Sequence, residues 1–214
     1  MNKRNRFGNV MRKMNRQRGL VLAFSILMAF VLGVGSTFAW FTSSDTMLNP
    51  FKSPDLPFSF VITEEFTPPG TVDPGDEIIK EVSATNTGEL PGFVRLLVLA
   101  EIMGADGTVL PGNHGTEFTY VGLNTTDWKY GGDGYYYYLG VLAPGEKAPN
   151  LFTGVGIVSG LGDEYKNAGM KIEVKLEATE IAKWEYREGW WNGATPVAPS
   201  PLAVVDAALS VLAN

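Results

Sequence analysis

The sequence predicts an all-β protein: an antiparallel β-sandwich, jelly-roll or immunoglobulin-like, after an N-terminal signal helix. Three observations lead there. From Phe58 onward, short runs rich in β-branched and aromatic residues alternate with turn clusters rich in Pro and Gly. No stretch between residues 58 and 181 repeats its apolar residues at the 3.6-residue helical period. The longest apolar run, "LVLAFSILMAFVLGVGSTFAWF" at 20–41, stands near the start of the chain behind a basic segment.

That opening has the layout of a secretory signal peptide: a basic region, an apolar region, then small residues. Lys3, Arg4, Arg6, Arg12, Lys13, Arg16 and Arg18 precede the run, and the first acid is Asp45. Thr37 and Ala39 fall at the third and first positions before a cut between Ala39 and Trp40. Gly33 and Gly35 loosen the helix just ahead of it, which suits extended binding in a peptidase. Left uncut, a run of about 20 residues is long enough to remain as a signal anchor. Its basic side stays cytoplasmic in both cases.

The lead "WFTSSDTMLNPFKSPDLP", residues 40–57, has no clear period. Strands follow in "PFSFVITEEF", "EIIKEVSATN", "FVRLLVLAEIM", "TEFTYVGL", "GYYYYLGVL", "LFTGVGIV" and "MKIEVKLEATEIA". The third has apolar residues on both faces, as a central strand does. The last alternates cleanly, with Met170, Ile172, Val174, Leu176 and Ala178 opposite Lys171, Glu173, Lys175, Glu177 and Thr179, so one face is expected to be solvated. In the Tyr135–Tyr138 run, one alternate pair is expected in the core and the other as cross-strand cover. Near the end, "KWEYREGWWNG" reads as a Trp-rich linker, and "LAVVDAALSVLAN" as an apolar tail, a candidate helix with Ser200 as N-cap and Pro201 in its first turn. The organisation expected is a signal peptide at 1–39, a lead and candidate donor strand at 40–57, a β-sandwich domain at 58–183, and a Trp-rich linker with an apolar C-terminal tail at 184–214.

Composition narrows the chemistry. Cysteine is absent, which removes disulfides, thiolate nucleophiles and thiolate metal sites. The single histidine, His114, lies among turn residues and is expected to be solvated; a multi-histidine zinc site within one chain is excluded. The acidic clusters "DPGDE" and "GDE" lack the spacing of a calcium loop. No catalytic residue, cofactor or metal ligand is therefore assigned. Seven of the 17 basic residues precede the apolar run, so the chain after residue 39 carries 10 basic against 23 acidic residues. Such a surface repels nucleic acid and anionic lipid. Contact with a membrane is expected only through an uncleaved signal segment.

Three stretches together resemble the TasA- and camelysin-like family of secreted Gram-positive biofilm matrix proteins, in particular its BsaA-type members. They are "GVGSTFAWFTSSDT" at the cut, "VSATNTGELPGFVRLLV" with Asn86, Thr87, Gly88, Val94 and Arg95, and "DGYYYYLGVLAPGEKAPNLF" with Leu142, Pro144, Gly145 and Glu146. Read as residues alone, the last two are turn and strand chemistry. The resemblance implies processing by an ER-type signal peptidase, secretion to the extracellular matrix or cell surface, and polymerisation by donor-strand exchange with itself and with other matrix proteins. Trp40, Phe41, Met47 and Leu48 are then the candidate subunit-pairing residues, since this apolar lead has no core of its own. A cell-surface binding or fibre-anchoring module is the alternative. The metalloprotease label that camelysin carries meets no H-E-x-x-H, no second histidine and no cysteine here. A non-enzymatic role is expected.

Overall fold

The computed structural model describes residues 58–66 and 70–213. The signal segment and the lead, with Ala39, Trp40, Phe41, Met47 and Leu48, lie outside the described residues. Among the described residues, nine strands form two antiparallel sheets. The first orders β1 (Phe60–Phe66), β2 (Glu77–Asn86), β8 (Phe152–Ile157) and β5 (Phe118–Val121) as β1-β2-β8-β5. The second holds β3 (Gly92–Met103), β4 (Val109–Leu110), β6 (Trp128–Tyr130), β7 (Tyr135–Tyr138) and β9 (Gly169–Glu180).

β3 is central, as its two apolar faces require. β9 pairs with it over the full Gly92–Met103 length, while β7 and β4 pair over shorter stretches. Alternation sends Val94, Leu96 and Ile102 of β3 and Met170 and Val174 of β9 to one side. There they join Val82 and Ala84 of β2, Phe118 of β5 and Phe152 and Val155 of β8 in one core drawn from both sheets. The antiparallel, strand-dominated class thus agrees with the sequence. β4 and β6, two and three residues long, are additions to the strands expected.

The opposite face of the second sheet is not simply solvated. Residues 184–191, read as the Trp-rich linker, carry helix α1 (Glu185–Trp191). Helix α2 (Pro201–Leu212) follows, with the Ser200 hydroxyl accepting a hydrogen bond from the Leu202 amide, the N-cap expected. Tyr186 and Trp191 of α1 and Val205 and Leu209 of α2 close a second core over Phe93 and Tyr137. The helices thereby cover apolar and aromatic side chains on the outer face of β3 and β7 that no sheet covers. In the tyrosine run Tyr136 and Tyr138 pack against the main core, and Tyr137 is buried in the second with Tyr135 beside it. The alternation holds, and both faces are packed.

The two sequence motifs inside the domain meet at one corner. Asn86, at the end of β2, is fully buried. Its side-chain amide donates to the Leu90 carbonyl at 2.8 Å and the Leu142 carbonyl at 2.9 Å, and its Oδ1 accepts from the Gly88 amide at 2.9 Å. Its backbone N–H donates to Glu146 O, and Gly145 N–H donates to its carbonyl. The Ala143–Glu146 turn has Pro144 second and Gly145 third at φ 77°, with Glu146 N–H donating to Ala143 O, a type II signature that only glycine adopts without strain. Asn86 therefore ties the turn after β2 to the turn before β8.

Asn86→Ala should destabilise the domain by about 1–3 kcal/mol, since it strands buried carbonyls without donors. Asn86→Asp should destabilise it at least as much, because a carboxylate oxygen then faces two carbonyls. Urea unfolding followed by fluorescence measures both.

Candidate functional site

Three regions carry polar or aromatic chemistry beyond simple packing. The first is a node around Arg95, which is 7% exposed on the helix-covered face of β3. Strand register sets Arg95 between Tyr137 of β7 and Glu177 of β9. Its Nε and Nη2 donate to Glu177 Oε2 at 2.9 and 2.6 Å, and Nη1 donates to the Tyr137 hydroxyl oxygen at 2.9 Å. Tyr135 caps the other carboxylate oxygen, donating to Glu177 Oε1 at 2.7 Å, and its ring lies 3.8 Å beneath the guanidinium. Tyr137 donates onward to Asp133 at 2.6 Å and accepts from the Trp191 indole N–H at 3.0 Å. A second bidentate pair joins the helices: Arg187 to both oxygens of Asp206, at 2.6 and 2.7 Å, with Tyr186 donating to the same carboxylate. Burial, with the hydrogen bond to Asp133, pushes the Tyr137 phenol up to about 12. Burial, with the bond to Asp206, does the same for Tyr186. Arg95 and Arg187 each find a carboxylate and each tyrosine of the node finds a protein acceptor, so the node holds structure together.

The second region is the flank carrying the two long edge strands. β1 lies beside β9, and among the described residues β1 pairs only with β2 and β9 only with β3. Each edge exposes backbone groups that can template another strand. β1 also points a charge inward: Glu64 pairs with Lys80, itself 2% exposed, at 2.9 Å, and the ammonium lies over the Phe66 ring. Inward charges on an edge are a device against indiscriminate pairing.

The third is a cleft of about 860 Å³ on the opposite flank, bordered by the short strands β5 and β6. His114, expected to be solvated, is exposed at its rim but stacks on Tyr120 with ring centres 4.6 Å apart. Partial burial lowers its pKa. Tyr120, Tyr130 and Tyr136 come from β5, β6 and β7 and were not legible as a group in the sequence.

Arg95, Asn86 and the Leu142–Glu146 turn occupy structural positions, as the residue reading held. The two aspartates of "DPGDE" are committed to backbone amides: Asp76 accepts from the Asp73 amide and Asp73 from the Asn167 amide. Asp163 of "GDE" pairs with Lys166 at 2.7 Å. Among the described residues no three of His, Asp and Glu converge as metal ligands. No family model, curated protein or solved structure matches this chain.

Arg95→Met should cost about 2–3 kcal/mol, the scale of hydrogen bonds to a charged group. A fully buried pair would cost ~3–5 kcal/mol, but Glu177 reaches solvent and softens the loss. Arg95→Met/Glu177→Gln should recover part of it in denaturant titrations. The raised phenols set an alkaline limit. Below pH 10 Tyr137 and Tyr186 are protonated in both states and their contribution is complete; between pH 10 and about 12 the unfolded chain releases these protons while the fold retains them, so stability falls as pH rises. Unfolding free energies measured across that window check the sign, and Tyr137→Phe should flatten the fall.

Proposed function

We propose that the mature chain is a secreted structural protein that polymerises into extracellular matrix fibres, cut between Ala39 and Trp40 and joined through its N-terminal lead. In this reading the two sheets are the halves of a β-sandwich, of jelly-roll or immunoglobulin-like descent, and the protein is not an enzyme. The observation that carries the reading is the long-edge flank: β1 follows directly on the lead and, among the described residues, pairs on one side only. The sequence resemblance to TasA- and camelysin-like matrix proteins supports the same reading. A lead carrying Trp40, Phe41, Met47 and Leu48 supplies apolar side chains and free backbone groups for an edge of the next subunit. Pro50, Pro54 and Pro57 lack amide donors, so pairing is confined to the part before Pro50. Uncut, the lead stays tied to the apolar run, which makes cleavage the licence for assembly.

A second reading, a cell-surface binding or fibre-anchoring module, is favoured by one observation, the aromatic cleft on the other flank. The two readings differ in whether the purified protein forms filaments.

Burying Trp40 or Phe41 in a partner contributes about 2–3 kcal/mol each. Removing residues 40–48 should leave circular dichroism and melting temperature unchanged while abolishing sedimentable polymer. Filaments of unchanged width from the truncated protein would rule out the lead as the linker. Amino-terminal sequencing of material recovered from the medium should begin at Trp40; full-length, membrane-bound chain alone would make the apolar run an anchor.

A further inference from the structure

The cleft between the short edge strands holds more than packing explains. Its wall begins at the core: Phe152, fully buried, stacks on Tyr120 with ring centres 4.6 Å apart and planes 18° apart. Tyr120 stacks in turn on exposed His114 at 4.6 Å and 22°. Tyr136 meets Tyr120 edge-on at 5.9 Å and 88°, and Tyr130, 47% exposed, lies 5.1 Å from Tyr136. The rings are thus held in fixed orientations before anything binds, which reduces the ordering cost of a ligand.

Their polar tips are uncommitted. Among the described residues no hydrogen-bond partner stands at the hydroxyls of Tyr120, Tyr130 and Tyr136, at the His114 imidazole or at the Lys129 ammonium. None of these atoms is a fully buried group left without a partner, and all five side chains line the cleft. Burial raises the Tyr120 and Tyr136 phenols, keeping both protonated and able to donate as well as accept.

We propose that this cleft binds a neutral β-1,4-linked oligosaccharide. The inference goes beyond the fibre reading and does not depend on it. A pyranose offers an apolar C–H face to an aromatic ring and a girdle of hydroxyls to groups that both donate and accept. Equatorial linkages keep successive rings flat, which suits aromatic faces set on more than one wall. The volume lies within the roughly 300–1,000 Å³ of ligand clefts. Other occupants fit less well. A purely apolar molecule would strip water from the phenol tips without replacing its hydrogen bonds. An anionic polymer meets, among the described residues, Lys129 as the only Lys or Arg lining the cleft, on a chain with 10 basic against 23 acidic residues after residue 39. A strand from another protein finds edges of only four residues in β5 and three in β6.

The test is calorimetric titration of the full chain, in a non-glycosidic detergent, with cellohexaose and with chitohexaose. Saturable binding of at least one is expected, with a shift in tryptophan emission because Trp128 lines the cleft. Tyr130→Ala and His114→Ala, both at exposed positions, should weaken binding at least fivefold without lowering the melting temperature. Tyr136→Phe, which keeps the ring and removes the hydroxyl, should weaken it severalfold. No saturable binding of either sugar would overturn the proposal. So would binding that all three variants leave intact, or variants that alter sedimentation of the polymer while sugar affinity stays the same, which would assign the cleft to a protein strand. The 40–48 truncation should retain full sugar affinity, so failure of the fibre reading and failure of this one are told apart.

Discussion

The guanidinium of Arg95 is the point on which the second sheet and its helices depend. A permanent positive charge on the face of a central strand is stable only if its donors are matched and its flat surfaces covered. Glu177 answers from β9, Tyr137 from β7 and the Tyr135 ring from below. Trp191 then joins helix α1 to the same Tyr137 oxygen, and Trp190 lies 5.1 Å from the guanidinium. One side chain therefore couples three strands and a helix. Because strand pairing brings these groups together, the node also penalises a slip of register, which would leave the charge facing the wrong neighbours.

Much of the sheet framework was legible because strands announce themselves locally. β2 spans the expected residues, and β3 and β9 differ from expectation only at their ends, since each sustains a period-2 pattern between turn signals. β4 and β6 are too short to show a period. Helix α1 was missed for a related reason: seven residues give barely two turns, and Gly189 and three aromatic residues argue weakly for any helix. The signal that was present is the i, i+4 spacing of Tyr186 and Trp190, which share one helical face. The outer face of β9 misled for another reason. Alternating Lys and Glu look solvated on any single strand. That Glu177 is a counter-ion becomes visible only once β9 is laid against β3 and Arg95 is seen to need one.

The corner fixed by Asn86 shows what short motifs encode. N-T-G and L-x-P-G-E lie 56 residues apart at their hydrogen-bonded ends, Asn86 and Leu142, yet they are two halves of one joint. Each half looks like ordinary turn chemistry because it is; the information lies in their pairing. The cleft was illegible for the same reason carried further. Its rings come from separate strands and a loop, and none is unusual alone. Only the stack from Phe152 through Tyr120 to His114 makes them a surface.

The two flanks are unequal, and that inequality bears on dimensionality. Long edges of seven and twelve residues sit together on one side, while the other ends in strands of three and four. If the lead pairs as proposed, a body that extends its sheets from one flank only has a low valence, one lead given and one of its two long edges filled. Units of valence two concatenate into a line and cannot tile a plane. The Glu64–Lys80 charge, set inward on that same flank, further discourages stacking of bare edges. Growth by strand addition would then yield a single file with a direction, its unpaired ends differing in kind, and with the cleft flank left clear along its whole length.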